Sequence, residues 1–298
     1  MTEKIKAYAK INLTLHVLGK REDGYHDLDL IFSPVSLCDE MEIGENDLDR
    51  IIFSCSIPEF STEDNLVVRA YETMREKYPG RIPGLDVALK KTIPAGAGMG
   101  GGSADAAALL AFLAERYLPE ISGQELIGIG AGLGADVPAC LIRHATRGLG
   151  VGERLTHIRT EAAFPLLVIK PPYSFNTGEM YRRTDALLPD RHENRNDRMV
   201  KALEKEDAGA VSDLLYNIFE KAVPEREKIQ TLKRILTENG ARGSLMTGSG
   251  SAVFGIFEDT VKRDEAYEIL SEKAASETEK DAPLYGCRIY SCEMVNRQ

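Results

Sequence analysis

Residues 94–117 read PAGAGMGGGSADAAALLAFLAERY, with five glycines inside seven positions (Gly96, Gly98, Gly100, Gly101, Gly102) and an alanine- and leucine-rich run directly after them. Glycine gives up more backbone freedom on folding than any other residue, so a cluster this dense marks a backbone that something must approach closely. The run that follows predicts a helix over roughly 103–117. Bare glycines let main-chain N–H groups converge on an anion, and the N-terminus of the next helix adds unpaired donors and a partial positive charge. Ser103 stands at the junction, placed to cap that helix or to meet a phosphate or its metal.

Three phosphate-loop patterns compete for this stretch. With Gly96 as the first glycine of a Walker A loop, Gly102 falls where the phosphate-binding lysine must stand, and the pattern fails. Gly96, Gly98 and Gly101 satisfy GxGxxG, but Glu115 falls inside the following helix and the second strand of a dinucleotide fold is missing. A protein-kinase glycine loop would need HRD and DFG partners, and neither is present. What survives is the physics common to all three, a phosphate held by main-chain amides.

Outward from the loop the chain mixes strands and helices. KIKAYAKINLTLHV alternates, with Ile5, Ala7, Ala9, Ile11, Leu13, Leu15 and Val17 on one face and Lys6, Tyr8, Lys10, Asn12, Thr14 and His16 on the other, which predicts a half-buried strand. Extended chain is also expected in 27–43, 50–57, 85–93, 164–172, 242–247, 251–257 and 286–293. Helices are expected over 62–78, 122–134, 197–206, 208–222, 225–239 and 260–277. Without regular βαβ alternation the class is α+β, with a domain boundary near 150–164, best placed as 1–155 and 156–298.

Composition narrows the function. The 298 residues carry 37 basic and 47 acidic side chains, a net charge of −10, which argues against a nucleic-acid-binding surface. Five dispersed cysteines without a CxxC pair favour reduced thiols, and the histidines do not cluster with them as metal ligands would. The first residues lack the build of a signal peptide, and no apolar run approaches the ~20 residues of a membrane span, so a soluble, cytoplasmic protein is expected.

Four stretches, taken in order, carry a resemblance: AKINLTLHVLGKREDGYHDL (9–28), PAGAGMGGGSADAA (94–107), LGADVPACL (133–141) and TGSGSAVFGIF (247–257). They resemble the motifs of the GHMP kinases, the family of galacto-, homoserine, mevalonate and phosphomevalonate kinases. The resemblance implies a two-domain fold, ribosomal-protein-S5-domain-2-like then ferredoxin-like, ATP on the glycine loop, and phosphoryl transfer to an alcohol. It implies Lys10 and Asp136 as the catalytic pair, Asp136 accepting the hydroxyl proton and Lys10 keeping it ionised. Alone, Lys10 reads as a solvated strand lysine and Asp136 as an N-cap before VPACLI.

On the nucleotide side the resemblance points to Asn65, Leu66, Lys91, Pro94, Gly96, Gly98, Met99, Gly100, Gly101, Gly102, Ser103 and Ala104, with Ser103 assisting Mg2+. On the acceptor side it points to Asn12, Tyr25, His26, Tyr181, Thr247, Gly248, Ser249 and Gly250. Tyr25 and His26 match positions that recognise cytosine, which favours cytidine diphosphate methylerythritol as acceptor and non-mevalonate isoprenoid synthesis as setting. Mevalonate and homoserine have no base to stack, and they remain the alternatives, as does a nucleotide-binding regulator without turnover. Thr247–Ser251 could equally be a tight hairpin. Asp105, in the first helical turn, suits the dipole but would repel a phosphate if it faced one. A monomer or a homodimer is expected.

Overall fold

The computed structural model describes residues 2–190 and 194–296. The first two strands are the longest, β1 (Glu3–Lys20) and β2 (His26–Asn46), and each is shared between the two compact units of the chain. The first unit comprises Met1–Ala9, Leu37–Pro94 and Gly100–Ile142, and the second Lys10–Ser36, Ala95–Met99 and Arg143–Gln298. The single cut at 155/156 expected from sequence is therefore replaced by an interleaved partition. Composition shifts mark where chain segments change, but not that a long strand can serve two cores.

The first unit continues with β3 (Ile51–Cys55), α1 (Leu66–Lys77), β4 (Gly84–Lys90), α2 (Gly101–Tyr117), α3 (Gly123–Leu133) and α4 (Val137–Leu141). β4 pairs antiparallel with Glu40–Asn46 of β2 and parallel with β3. α1 buries Val67, Ala70, Tyr71 and Met74 and packs on α2, whose buried Ala106, Ala107, Leu109, Leu110 and Leu113 form the facing surface. Burying these side chains supplies the main stabilisation, ~1.5–3 kcal/mol for each large one.

The second unit adds β5 (Thr146–Gly150), β6 (Arg154–His157), β7 (Pro165–Lys170), α5 (Thr177–Thr184), α6 (Arg195–Glu204), α7 (Ala208–Leu214), β8 (Tyr216–Asn217), α8 (Arg226–Glu238), β9 (Gly243–Met246), β10 (Val253–Ile256), α9 (Thr260–Ser276) and β11 (Arg288–Glu293). One antiparallel sheet has the order β11-β7-β10-β9, with helices inserted after β7 and after β10. That is the split βαβ arrangement of a ferredoxin-like fold, as expected. Its core joins Leu167, Ile169, Met246, Val253 and Phe257 to Ile229, Leu232 and Leu236 of α8 and Leu270 of α9.

Two expectations are corrected. Only the start of β1 is half-buried, with Lys6 exposed; beyond it Lys10, Asn12, Thr14 and His16 are 6%, 3%, 0% and 1% exposed. The alternation separates an apolar face from a polar one that is buried and hydrogen-bonded, as burial of polar groups requires. Thr14 Oγ1, for example, accepts from Ile31 N at 3.0 Å. The helix expected over 208–222 stops at Leu214. Tyr216 and Asn217 pair parallel with Thr14 and Leu15, and Asn217 Nδ2 donates to Met246 O (2.7 Å) and Gly248 O (2.8 Å). These long-range bonds outweigh another turn of helix.

Among the described residues no helix is long and apolar enough to cross a membrane, and no group of three or more His, Cys, Asp and Glu could hold a metal ion. All five cysteines are free thiols.

Candidate active site

In the first unit, α2 begins at Gly101 because Gly100 turns the chain at φ +71°. Gly100 is therefore the N-cap, and Ser103, expected at that position, lies inside the first turn. The cap bond is made by the backbone, Ala104 N donating to Gly100 O at 2.8 Å. A Cβ on Gly102 would lie 3.8 Å from Leu66 Cδ1, and one on Gly134 would lie 4.0 Å from Ser103 Oγ. Ser103 thus faces the turn that carries Asp136. Asp136 precedes α4, and its side chain makes no capping bond there. The role that sequence alone would assign it is not realised.

The Lys91 side chain is almost wholly buried. Its ammonium pairs with Asp39 and, at 2.5 Å, with Asp105. Asp39 also accepts from the N–H groups of Thr92 and Ile93, the latter at 2.8 Å, so the chain entering the glycine loop is tied to β2. Asp105 is buried with Oδ1 unpartnered. Burial, opposed by Lys91 and reinforced by the Asp39 charge, pushes the Asp105 carboxyl up to about 7. Burial works against the Lys91 charge, but Asp105 and Asp39 outweigh it and raise its pKa. Asn65 spends its amide locally, capping α1 through Val67 N at 2.9 Å and donating to Phe60 O at 2.9 Å. Pro94 ends the first unit's segment before the loop tip.

In the second unit the loop tip 95–99 is laced to the other glycine stretch. Lys10 N donates to Met99 O at 3.0 Å, and Lys10 Nζ donates to Asn12 Oδ1 at 2.7 Å. Asn12 N donates to Thr247 Oγ1 at 3.0 Å, and Thr247 Oγ1 donates to Gly98 O at 3.3 Å. Ser251 N reaches Gly96 O at 3.3 Å and Ala252 N reaches Ala97 O at 3.2 Å. A Cβ on Gly248 would sit 2.6 Å from Gly98 O, so backbone meets backbone with no room for a side chain. Residues 247–252 do form a hairpin, Thr247 N donating to Ala252 O at 3.0 Å and Gly250 N to Thr247 O at 2.9 Å. Ser249 Oγ lies 2.9 Å from Thr177 Oγ1 at the start of α5.

A second cluster in this unit gathers the residues expected at a base. Tyr25 is 64% exposed on the turn between β1 and β2. His26 is buried, and its Nε2 donates to Asp185 Oδ1 at 2.6 Å. Its ring stacks on Tyr181, with centroids 4.9 Å apart at 19°, and Tyr181 stands edge-on to Phe219. Asp185 Oδ2 accepts from Lys20 Nζ at 2.7 Å, and the Lys20 bond, then the His26 bond, lower the Asp185 pKa. A second His–Asp pair starts from β1, His16 Nδ1 to Asp190 Oδ2 at 2.8 Å, and is completed by Tyr216 OH on Asp190 Oδ1 at 2.8 Å. Of the residues expected at a base, His26 and Tyr181 are in contact; Asp185, Lys20 and Asp190, which complete these pairs, have no local sequence pattern.

Residues 65–144 match the GHMP kinases N terminal domain family, and residues 199–276 match the GHMP kinases C terminal family. A crystal structure of a 4-(cytidine 5'-diphospho)-2C-methyl-D-erythritol kinase superposes with a TM-score of 0.80 at 29% identity, covering 99% of this chain and all of that one. The L. major mevalonate kinase, at 14% identity and a TM-score of 0.71 over 99% of this chain and 97% of that one, shares the fold. The chain belongs to the GHMP kinases.

Within that class it stands among proteins named 4-diphosphocytidyl-2-C-methyl-D-erythritol kinase. The one from Clostridium botulinum (strain Eklund 17B / Type B) is 36% identical over 271 residues, 90% of this chain and 96% of the relative. The one from Clostridioides difficile (strain 630) is 37% identical over 259 residues, 86% of this chain and 87% of the relative.

Proposed function

We propose that this protein transfers the γ-phosphate of ATP to the 2-hydroxyl of 4-diphosphocytidyl-2-C-methyl-D-erythritol, giving the 2-phosphate and ADP in the non-mevalonate route to isoprenoid precursors. The observation that carries the choice of acceptor is the His26–Tyr181 stack, with the exposed Tyr25 directly preceding His26 in the chain. A nucleobase needs such flat faces, and an acceptor without a base does not. The identity to kinases named for this acceptor supports the same reading.

The roles follow from the chemistry. Main-chain amides of Gly96, Gly98 and Met99 through Ser103 take the triphosphate, with Asn65, Leu66, Pro94 and Ala104 bordering the nucleotide. Lys91 acts by holding the chain that enters the loop, since its ammonium is committed to Asp39 and Asp105. Asp136 accepts the proton of the acceptor hydroxyl, a contribution of ~10²–10⁴ in rate. Lys10 supplies positive charge that offsets the negative charge developing on transfer. Asn12 and Thr247–Gly250 orient the acceptor, and Tyr25, His26 and Tyr181 hold its cytosine. Mg2+ neutralises phosphate charge when bound, and Ser103 is the hydroxyl this chain offers it. The partner is this small molecule, in the cytoplasm, with the enzyme a monomer or a homodimer.

The test is ADP release from purified enzyme and ATP with each acceptor in turn. Turnover is expected with 4-diphosphocytidyl-2-C-methyl-D-erythritol and not with mevalonate or homoserine. Turnover with either of the latter alone refutes the reading.

A further inference from the structure

Lys170 ends β7 and is only 7% exposed, yet among the described residues no carboxylate pairs with it. Its Nζ donates to Pro171 O at 2.6 Å and Tyr173 O at 2.8 Å, and lies 3.4 Å from Ser174 Oγ. Three oxygen acceptors use the three N–H donors that only an ammonium supplies. Across the strand pair its register partner is Arg288, a like charge, and burial pushes the neighbouring Cys287 thiol up to about 11, which keeps it neutral. Burial, and then Arg288, lower the Lys170 pKa, while Cys287 opposes them. Lysine is almost never buried unless paired, because desolvating an uncompensated charge is costly. A buried ammonium bonded only to neutral oxygens, with a like charge across the strand pair, favours an anion that arrives from outside.

The oxygens that cage it belong to residues 171–174, and this segment supports both glycine stretches. A Cβ on Gly96 would collide with Ser174 Oγ, and one on Gly250 would lie 2.9 Å from the Phe175 ring. Tyr173 O accepts from Ser251 Oγ, and Ser251 N donates to Gly96 O at 3.3 Å. The ammonium therefore sits one contact behind the loops that would hold phosphate.

We propose that Lys170 is a positioning residue whose missing counter-ion is the phosphate chain of the nucleotide. Its cage fixes residues 171–174 under the loops, and its charge raises the potential where the anion docks. The inference rests on reading these loops as phosphate-binding.

Calorimetric titration with AMP-PNP tests it on wild type, Lys170→Gln, which keeps N–H donors for the cage but loses the charge, and Lys170→Arg, which keeps both. Lys170→Gln is expected to bind at least about tenfold more weakly and Lys170→Arg within about threefold, with KM for ATP rising far more than kcat falls. Folded Lys170→Gln that binds like wild type, or Lys170→Arg as weak as Lys170→Gln, overturns the proposal. If circular dichroism finds Lys170→Gln unfolded, wild type decides through its 15N-resolved lysine ammonium signals. One signal protected from solvent exchange and shifted by AMP-PNP is expected; an unshifted one overturns the proposal. Wild type that binds AMP-PNP but leaves the cytidine acceptor unphosphorylated counts against the proposed function and not against Lys170.

Discussion

The carbonyl oxygen of Thr247 fills the place a side chain on Gly98 would need, while Thr247 Oγ1 donates to Gly98 O at 3.3 Å. Gly98 also holds φ at +74°, a conformation that costs other residues ~1–2 kcal/mol before any clash. Gly98→Ala is therefore expected to destabilise the fold by ~2–4 kcal/mol and to lower kcat/KM by at least about a hundredfold. Urea unfolding and steady-state kinetics measure both. Unchanged values would mean that the two glycine stretches are not laced as described.

Lys91 holds two buried carboxylates at once. Removing its charge as Lys91→Met strands both and is expected to cost ~3–5 kcal/mol in urea unfolding. Asp105→Asn is expected to stay within about 1 kcal/mol of wild type, because burial has already pushed that carboxyl up to about 7 and Asp39 still pairs with Lys91. Equal losses in the two variants would contradict this arrangement.

Much of this was legible in the chain itself. The glycine run, α1, α2, α3 and the βαββαβ order of the second unit follow from periodicity and turn residues. Lys91 was not legible. It reads as an exposed strand lysine because its partners lie 52 and 14 residues away, and only tertiary packing brings Asp39 and Asp105 to it. The buried polar face of β1 escaped for the same reason, since alternation cannot tell water from Asp190 or Thr247. α7 ends sooner than the sequence predicts because the bonds of Asn217 to Met246 O and Gly248 O have no local signature.

His144 and His157 place their Nδ1 atoms 2.6 Å apart across the β5–β6 pairing. Burial, and then the neighbouring imidazole, lower the His144 pKa below its ordinary 6.5. The folded state then takes up this proton less readily than the unfolded chain, so stability is full above pH 6.5 and falls as pH drops through the folded value. Denaturant titrations at about pH 7.5 and about pH 5.5 should show that loss in wild type and less of it in His157→Gln. The same loss in both would remove the pair as its cause.

Tyr25 is exposed and directly precedes His26 of the His26–Tyr181 stack in the chain. Stacking a base on an aromatic ring contributes ~1–3 kcal/mol, so Tyr25→Ala should raise KM for the cytidine acceptor by about tenfold and leave KM for ATP within about twofold. A matching rise for ATP would place the ring elsewhere in the mechanism.

In the proposed mechanism the Asp136 carboxylate takes a proton from the acceptor hydroxyl as the phosphoryl group moves. Rapid-quench measurement of a single turnover in Asp136→Asn, with ATP and acceptor both saturating, tests it most directly. The transfer step is predicted to slow by ~10²–10⁴ while AMP-PNP and acceptor bind as in wild type. A transfer rate equal to wild type would contradict it.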